Sequence, residues 1–541
     1  MKEALKFFIH YSSFFIFLYL CAMKFILQLF LLFSALSLQA QSWGDQGNGT
    51  FRNPVLPTDL SDPDVIRVGE KYYMVASDFH FIGMQILESS DLVNWHVVTQ
   101  LYERFDYPGW DTMEHYGGGS WAPSIRWHKG RLWVYFCTPD EGLFMTNAER
   151  AEGPWSPLVL VKGVKKWEDP CPFWDDDGKA YLGHSLYGAG PIILHRMSDD
   201  GTRLLDDGVT VYTGPVAEGT KIHKWNGYYY LSIPEGGVCC GWQTILRSKN
   251  IYGPYERKVV LEQGTTDVNG PHQGAIVDTP EGSWWFFHFQ EWSPLGRIVH
   301  LQPVRWEDGW PLMGVDFDGN GIGEPVAEWP MPVKTNVPST HASDVVWKDD
   351  FSGGILKPEW QWNHNPHDDA WSLTENAGRL TLYALQSADF VHARNTLTLR
   401  TLGYQGTATV ELDFSKLAEG MSCGIACMGK KNHLLGIRKT DGKAWLYTED
   451  NGQEETSIPM KGKKVFLRLH LDAKENVYRF EFSNNGRKYR QLGKGFYMRW
   501  GNWKGARIAL YAYNNIAAQG TAIFDNFVYE TPTCPPRGEA F

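Results

Sequence analysis

The sequence predicts an all-β protein with more than one domain, and three observations support this fold class. Aromatic residues and glycines are abundant, with 24 Trp, 25 Tyr, 29 Phe and 55 Gly, a composition typical of many short strands joined by glycine turns. Beyond the N-terminal region, almost no stretch has the sustained 3.6-residue apolar period of an amphipathic helix. The chain of 541 residues is also long enough for about two to four domains that each bury a hydrophobic core.

Residues 1–40 are predicted to be a signal peptide. An apolar run that begins at Met23 contains one lysine and ends in small residues, so we place the cleavage site near Ala40–Gln41. Met23 is an alternative start of translation, because a second apolar stretch precedes it. A membrane anchor is the competing interpretation, but polar residues from His10 to Ser13 interrupt that stretch, and neither run reaches ~18 apolar residues. The sequence therefore predicts an exported protein, either periplasmic or extracellular.

Five similar hairpin patterns follow one another between residues 41 and 328. Each contains a strand, a glycine turn and an aromatic-rich strand, as in DPDVIRVGEKYYMVAS from Asp62 and EGTKIHKWNGYYYLSIP from Glu218. The turn glycines recur at intervals of roughly 50 residues, which suits a four-stranded propeller blade with variable loops. They are Gly69, Gly130, Gly178, Gly227 and Gly282. Residues 41–328 are therefore predicted to form a five-bladed β-propeller.

The entrances of the five inner strands carry three acidic residues. In a propeller, the innermost strand of every blade lies beside a central channel, so equivalent positions converge although they are far apart in sequence. These entrances contain Asp62, the pair Trp121–Ala122, Asp169, Glu218 and His272. Three carboxylates that meet at one opening repel one another at a cost in free energy unless their charges are used. Asp64 competes with Asp62, which we prefer because it shares the Asp-Pro register of Asp169.

Such a cluster suits the hydrolysis of a glycosidic bond. One carboxylic acid protonates the leaving oxygen, while a carboxylate on the other side of the bond activates water. We assign Glu218 as the general acid and Asp62 as the general base, because the longer glutamate side chain suits the proton donor. Asp169 is assigned as the group that raises the pKa of the acid through its charge and orients the substrate.

The motifs that contain these residues resemble those of glycoside hydrolase family 43, in the two-domain branch of β-xylosidases and α-L-arabinofuranosidases. The resemblance rests on NPVLPTDLSDPDVIRVGEKYYMVAS, GGSWAPSIRWHKGRLWVYF, WEDPCPFWDDDGKAYL, AEGTKIHKWNGYYYLSIPEGG, GPHQGAIVDTPEGSWWFFHFQ and GRIVHLQPVRWEDGWP. It implies a five-bladed propeller, an inverting mechanism and a catalytic triad at Asp62, Asp169 and Glu218.

The same resemblance implies four further site residues. Arg297 matches a substrate-binding arginine, and Phe79 and Trp121 match aromatic walls of the pocket, with core packing as the alternative for these two aromatics. His272 matches a channel histidine near which some members hold calcium, and a buried, hydrogen-bonded histidine is the alternative. We expect no cofactor requirement, and a calcium ion near His272 would be structural.

A second domain follows a proline-rich linker. Four prolines lie between Glu324 and Asp344 without a strand pattern, so residues 329–345 are predicted to be the linker. Residues 346–541 contain alternating stretches such as GRLTLYAL, TATVELDFS and KVFLRLHLD, which indicate an antiparallel β-sandwich. This part resembles the concanavalin-like jelly roll of the same family branch.

The predicted function is that of an inverting exo-glycosidase. It would remove terminal α-L-arabinofuranosyl or β-D-xylosyl residues from plant-wall oligosaccharides or polysaccharides, and the choice between these sugars stays open because loop residues decide it. The net charge of −11, with basic residues interspersed among acids, excludes a nucleic-acid partner, and no membrane partner is expected. A non-catalytic carbohydrate-binding propeller is one alternative, which the three acids disfavour. A fructan-cleaving propeller hydrolase is another, disfavoured because those enzymes have a cysteine after the catalytic glutamate.

Overall fold

Each predicted hairpin forms the first two strands of a four-stranded antiparallel sheet. The five turn glycines, Gly69, Gly130, Gly178, Gly227 and Gly282, all have positive φ angles between 63° and 85°, a conformation that glycine adopts without a steric penalty from a Cβ atom. The aromatic and β-branched residues of the strands then pack between neighbouring sheets. The hairpin repeat predicted from the sequence is therefore confirmed.

The computed structural model describes residues 43–333, 344–499 and 501–532. The predicted signal peptide and the central part of the predicted linker lie outside these residues. Among the described residues, no helix has the length and apolar character needed to cross a membrane. The strands of the N-terminal part are β1 (Thr50–Arg52), β2 (Ser61–Val68), β3 (Lys71–Ser77), β4 (Phe81–Ile82), β5 (Gln85–Ser89), β6 (His96–Gln100), β7 (Trp121–His128), β8 (Arg131–Thr138), β9 (Gly142–Ala148), β10 (Val159–Gly163), β11 (Trp167–Trp174), β12 (Ala180–Leu186), β13 (Ile192–Met197), β14 (Val209–Tyr212), β15 (Lys221–Trp225), β16 (Tyr228–Glu235), β17 (Trp242–Ser248), β18 (Glu256–Leu261), β19 (His272–Asp278), β20 (Trp284–Trp292), β21 (Gly296–Glu307), β22 (Trp310–Met313) and β23 (Glu328–Pro330).

These strands form a five-bladed propeller. The blades have the strand orders β2-β3-β5-β6, β7-β8-β9-β10, β11-β12-β13-β14, β15-β16-β17-β18 and β19-β20-β21-β22. The inner strand of each blade contacts the next blade, and β19 of the last blade contacts β2 of the first, which closes the ring. β1 pairs with β23 and so joins the beginning of this part to its end. Two residues of β23 fall within the segment that the sequence assigned to the linker.

The C-terminal part is a β-sandwich. Its elements are β24 (Asp344–Asp349), β25 (Gln361–Asn363), the 3₁₀ helix η1 (Asp368–Ala370), β26 (Trp371–Ser372), β27 (Leu380–Tyr383), β28 (Leu385–Gln386), β29 (Leu397–Arg400), β30 (Gln405–Lys416), β31 (Met421–Met428), β32 (His433–Thr440), β33 (Lys443–Asp450), β34 (Gln453–Pro459), β35 (Lys464–Asp472), β36 (Val477–Ser483), β37 (Arg490–Phe496), β38 (Arg507–Asn514) and β39 (Thr521–Pro532). One sheet has the order β26-β27-β39-β30-β35-β36-β37, and the other has the order β34-β33-β32-β31-β38-β29-β25. Alternating buried residues along β30 and β35 fill the space between the two sheets.

The propeller and the sandwich share a sheet and a core. β4 leaves the first blade and pairs with β25, so that Phe81 and Ile82 form the last strand of the second sandwich sheet. A single cluster of buried apolar side chains also extends from Phe105 of the propeller to Leu399 of the sandwich. The loop before β38 can therefore reach the propeller opening, where the predicted catalytic residues lie.

Candidate active site

The inner strands enter the propeller channel through residues in the left-handed conformation. The φ angle is 56° at Asp62, 38° at Ala122, 57° at Asp169, 62° at Gly219 and 53° at Gln273. In four of the five blades the pairing register with the next strand shifts at this position. Such bulges turn side chains away from the regular alternation of a strand. All five blades thus have a residue in the left-handed conformation at the entrance of the inner strand.

The position of this left-handed residue differs by one residue from the alignment of the blades expected from the sequence. Asp62 and Asp169 occupy the left-handed position, whereas Glu218 and His272 precede it by one residue. The counterparts of Glu218 in the second and third blades are therefore Trp121 and Glu168. The expectation that all three acids are equivalent is wrong for Glu218, because glycine takes the left-handed position of the fourth blade.

Asp62 is a buried hydrogen-bond acceptor. Ser77 Oγ donates to Asp62 Oδ2 over 2.6 Å, and Arg297 Nη1 lies 2.9 Å from Oδ1. Asp64, the competing candidate, instead pairs with Arg126 at 2.6 Å and accepts a hydrogen bond from the backbone N–H of Ile125. Asp64 is thus engaged in holding neighbouring blades together.

Asp169 is fixed by three hydrogen bonds. Ser185 Oγ and the backbone N–H of Gly219 donate to Oδ2 over 2.7 and 2.8 Å, and Gln273 Nε2 donates to Oδ1 over 2.8 Å. Burial raises the pKa of Asp169, and the hydrogen bonds from Gly219 and Ser185 partly oppose this effect. Both oxygens are therefore occupied, which suits a group that acts on its neighbours through its charge.

Glu218 has the environment of a proton donor. Burial, followed by the charge of Asp169, raises the pKa of Glu218 to about 8, while the Arg297 charge opposes the shift. The carboxyl group therefore holds its proton at neutral pH, as a general acid must. His272 Nε2 lies 3.8 Å from Glu218 Oε1. Burial and the nearby Arg297 charge lower the pKa of His272 to about 3, so this imidazole is neutral.

Glu168 is a fourth acidic residue at the site, and the sequence reasoning did not select it. Ligand oxygens of Glu168, Asp169 and Glu218 lie within 4.8 Å of one another. Burial, followed by the charges of Asp169 and Glu218, raises the pKa of Glu168 to about 9. The signal that could have identified it is its position directly before Asp169, which is equivalent to that of Glu218 in the next blade.

The other predicted residues lie around these acids. Arg297 is 8% exposed, and its guanidinium carbon is 4.7 Å from the centre of the Phe289 ring. Phe79 is buried and packs under the ammonium of Lys504 at 5.1 Å. Trp121 is half-buried, donates a hydrogen bond to the carbonyl of Gly117 and lines a large cavity. Of the two predicted aromatic walls, Trp121 borders open space and Phe79 is packed in the core.

Lys504 of the sandwich contacts residues that hold Asp62, the predicted general base. Lys504 is 2% exposed and donates to the carbonyl oxygen of Ser77 over 2.9 Å, while its ammonium is 3.1 Å from Asp59. Asp59 in turn accepts a hydrogen bond from the backbone N–H of Arg297 at 3.0 Å. Burial lowers the pKa of Lys504 to about 8, and the charge of Asp59 opposes the shift. The C-terminal part thus holds the residues that contact Asp62.

The surroundings of His272 are a poor fit for calcium. Its Nδ1 lies 2.9 Å from the carbonyl of Gly270, and the described acid nearest to it is Glu218. Calcium requires about six to eight oxygen ligands. Among the described residues, the group of three acids able to share an ion is Glu168, Asp169 and Glu218, and Glu218 must hold a proton to act as the predicted general acid. The donors around His272 therefore do not fit a calcium ion.

Two family models match most of the described chain. Residues 51–311 match the model described as "Glycosyl hydrolases family 43". Residues 348–530 match the model described as "Beta xylosidase C-terminal Concanavalin A-like domain". The first match contains all the predicted site residues, and the second contains nearly the whole sandwich.

Similar proteins cover most of this chain. A protein of Xylanibacter ruminicola described as "Putative beta-xylosidase" is 55% identical over 469 residues, which cover 86% of this chain and 87% of that protein. The non-reducing end α-L-arabinofuranosidase BoGH43B of Bacteroides ovatus is 29% identical over 473 residues, which cover 80% of this chain and 84% of that protein. The crystal structure of the GH43 BlXynB protein from Bacillus licheniformis has a TM-score of 0.78 at 26% identity, covering 90% of this chain and 100% of that chain.

Proposed function

The chain belongs to glycosyl hydrolase family 43, and on this basis we propose that it is an inverting exo-glycosidase that removes terminal β-D-xylosyl residues from xylan-type oligosaccharides. Terminal α-L-arabinofuranosyl residues are the second candidate substrate, because a relative similar over 80% of this chain is named for that activity. The observation that carries the proposal is the gathering of Asp62, Asp169, Glu218 and Arg297 from separate blades around one opening.

The proposed reaction uses two carboxyl groups and one water molecule. Glu218 donates its proton to the glycosidic oxygen as the bond from this oxygen to the anomeric carbon breaks. Asp62 accepts a proton from the water that attacks the anomeric carbon from the opposite face, so the configuration inverts. The products are the free monosaccharide and an oligosaccharide that is one unit shorter. Proton exchange with solvent then returns the proton to Glu218 and removes it from Asp62. Asp169 keeps the pKa of Glu218 high, and Arg297 positions Asp62.

The test compares Glu218→Gln and Asp62→Asn with the wild type on aryl β-D-xyloside and aryl α-L-arabinofuranoside. We expect each variant to lose about 10³-fold in kcat on the substrate that the wild type hydrolyses, since a positioned acid or base contributes about 10² to 10⁴-fold. The matched control is Glu281→Gln, an exposed residue of the fifth hairpin, which should leave kcat unchanged. Proton NMR of the first product anomer reports the stereochemistry. Retained configuration, or full activity of both variants, would overturn the proposal.

We also propose that hydrolysis needs no cofactor. Two carboxyl groups and water complete the reaction on their own, and the donor set near His272 is poor in oxygen ligands. Activity should therefore be unchanged after dialysis against a chelator, and addition of Ca²⁺ should not raise kcat. A loss of activity that Ca²⁺ restores would contradict this view.

We further propose that the protein acts outside the cytoplasm. The support is the apolar sequence of residues 1–40, with small residues before Ala40–Gln41. N-terminal sequencing of the protein from its native cells should find Gln41 or a close neighbour as the first residue. An intact N-terminus at Met1 or Met23 would contradict cleavage.

A further inference from the structure

A large cavity lies between the propeller opening and the sandwich. Its volume is about 790 Å³, within the range of ligand-binding pockets. The propeller contributes Trp121 and Lys166, and the sandwich contributes Lys430, Arg499 and Trp503. Lys430 and Arg499 are held side by side, because the backbone N–H of Lys430 donates to the carbonyl of Arg499 over 3.1 Å. The cavity is thus built jointly by both parts of the chain.

Two residues that line this cavity, Trp121 and Lys166, lie at or close to the entrances of inner propeller strands. Trp121 occupies the position in the second blade that Glu168 and Glu218 occupy in the third and fourth. Lys166 precedes Glu168 by two residues, and its carbonyl accepts a hydrogen bond from the backbone N–H of Tyr187. A sugar chain whose end reaches Glu218 can therefore extend along this wall.

The walls of the cavity expose aromatic rings to solvent. Tyr187 is 50% exposed and Trp503 is 39% exposed, so both rings present surface to the cavity. The rings of Trp121 and Tyr187 are 5.6 Å apart. Exposed aromatic faces offer apolar contact to the rings of a sugar.

The charge of the lining is opposite to that of the whole protein. The net charge of the chain is −11, yet the cavity is lined by Lys166, Lys430 and Arg499 against a single acid, Asp140. Asp140 is already 3.8 Å from Lys165. Among the residues that the structure describes, no carboxylate forms an ion pair with any of the three lining cations. Three exposed cations in one concave site attract an anionic ligand.

We propose that this cavity binds a uronic-acid unit of the leaving portion of the substrate, so that the enzyme prefers xylo-oligosaccharides decorated with glucuronic acid. This inference rests on the proposed function and names a substrate class for it. The carboxylate of the uronic acid pairs with Lys430 and Arg499, and Lys166 adds charge from the propeller side. The aromatic rings contact the xylosyl backbone next to it.

The first experiment measures kcat/KM on three tetraoses. These are xylotetraose, xylotetraose with one glucuronic acid on the third unit from the non-reducing end, and the same compound with its carboxyl group reduced to an alcohol. We expect the acidic compound to be cleaved about fivefold better than the reduced one at low ionic strength, with a preference that declines as salt rises. Lys430→Gln/Arg499→Gln should abolish this preference and leave kcat/KM on xylotetraose unchanged.

The matched control is Lys431→Gln, which removes an exposed cation next to Lys430 but outside the cavity lining. It should keep the preference of the wild type. Equal kcat/KM on the acidic and reduced compounds, or a preference that survives in the double variant, would overturn the inference while leaving the exo-glycosidase proposal intact.

A second experiment does not depend on turnover. Calorimetric titration of the Glu218→Gln protein with the acidic tetraose should give tighter binding than with the reduced tetraose, and the Lys430→Gln/Arg499→Gln substitutions should remove the difference. This result would support the site even if no xyloside were hydrolysed by the wild type. An oligogalacturonide tests whether uronic acid from a different polysaccharide binds better. If it binds more tightly than the acidic tetraose, the proposed preference for glucuronic acid on xylo-oligosaccharides is contradicted.

Discussion

Asp169 is the residue through which the site controls the proton on Glu218. Its two oxygens accept hydrogen bonds from Ser185, Gly219 and Gln273, so it has little capacity left to contact substrate. Its charge is the largest effect, after burial, that raises the pKa of Glu218 to about 8. Because the acid must be protonated to act, activity should decline as the pH rises through this value.

Asp169→Asn should move the alkaline limit of activity to lower pH. Removal of the negative charge lowers the pKa of Glu218, so the alkaline limb of kcat/KM should shift down by about one pH unit. The measurement is the pH profile of kcat/KM on aryl xyloside. Asp177→Asn, in the exposed turn of the same hairpin, is the control and should leave the profile in place. A limb that does not move would show that Asp169 does not tune the acid.

Glu168→Gln should make the protein more stable at high pH. The pKa of Glu168 is raised from 4.5 to about 9, mainly by burial, so the folded state binds this proton more tightly than the unfolded state. The stability it contributes is complete below about pH 4.5 and is lost as the pH rises towards 9. Glutamine cannot ionise, so Tm at pH 8 should exceed that of the wild type by about 2 °C, with no difference at pH 4.5.

The control for this measurement is Glu281→Gln, whose side chain is exposed in the turn between β19 and β20. Its Tm should follow the wild type at both pH values. A Glu168→Gln protein that is less stable than the wild type at pH 8 would mean that the ionised carboxylate is favoured in the fold.

The sequence predicted that three acids lie near one channel but not their positions along the strands. Repeated hairpins placed Asp62, Asp169 and Glu218 near one channel, because pseudo-symmetry follows from the turn glycines. The one-residue offset of Glu218 depends on which residue takes the left-handed position, and aspartate and glycine both can. For the same reason Glu168 was overlooked as a counterpart of Glu218.

At the scale of elements, the left-handed entrance of each inner strand determines where its side chains point. In the fourth blade this residue is Gly219, whose backbone N–H also donates to Asp169. A Cβ atom added to Gly219 would lie 2.5 Å from Cδ of Pro234, a rigid ring. Glycine is therefore required here both by the backbone angle and by the neighbouring strand β16.

Gly219→Ala should reduce both stability and activity. The left-handed strain costs roughly 1 kcal/mol, the contact with Pro234 adds to it, and displacement of Glu218 should lower kcat more than about tenfold. The measurements are Tm and kcat on aryl xyloside. Gly227→Ala is a matched control, because its φ angle is 78° with no atom within 4 Å of an added Cβ. Gly227→Ala should lose a similar amount of stability through backbone strain and keep its kcat. Equal losses of kcat in Gly219→Ala and Gly227→Ala would refute the steric argument.

At the scale of the whole molecule, buried charges connect the sandwich to the site. Arg400 and Arg507 of the sandwich pair with Asp78 of the propeller, and Lys504 pairs with Asp59. Asp78 lies next to Ser77, which donates to Asp62. The sandwich is thus part of the framework that holds the proposed base, in addition to forming one wall of the cavity.

Lys504→Met should weaken this framework. Loss of the ammonium leaves Asp59 buried without its cation, which costs about 3–5 kcal/mol and should lower Tm by about 5 °C. The carbonyl of Ser77 also loses its donor, so kcat should decline about tenfold. Lys443→Met, an exposed lysine at the start of β33, is the control. Unchanged Tm and kcat in Lys504→Met would show that the sandwich does not support the base.

The sequence predicted two parts in the correct order but gave no sign of how they interlock. Alternating apolar residues mark each strand and its buried face, yet they do not say which strand edge another element will pair with. In the sequence, Phe81 and Ile82 lie among residues predicted to form the first blade. In the folded chain they pair with Trp362 and Asn363 of the sandwich. The ion pairs of Lys504 and Arg400 span several hundred residues and have no local pattern.

The pairing of β4 with β25 also limits how this architecture can change during evolution. A recombination event near Asp344 would join the sandwich to a foreign propeller that lacks the matching two residues, and an open sheet edge and three unpaired buried cations would result. We therefore expect such exchanges to be disfavoured and the two parts to be inherited together.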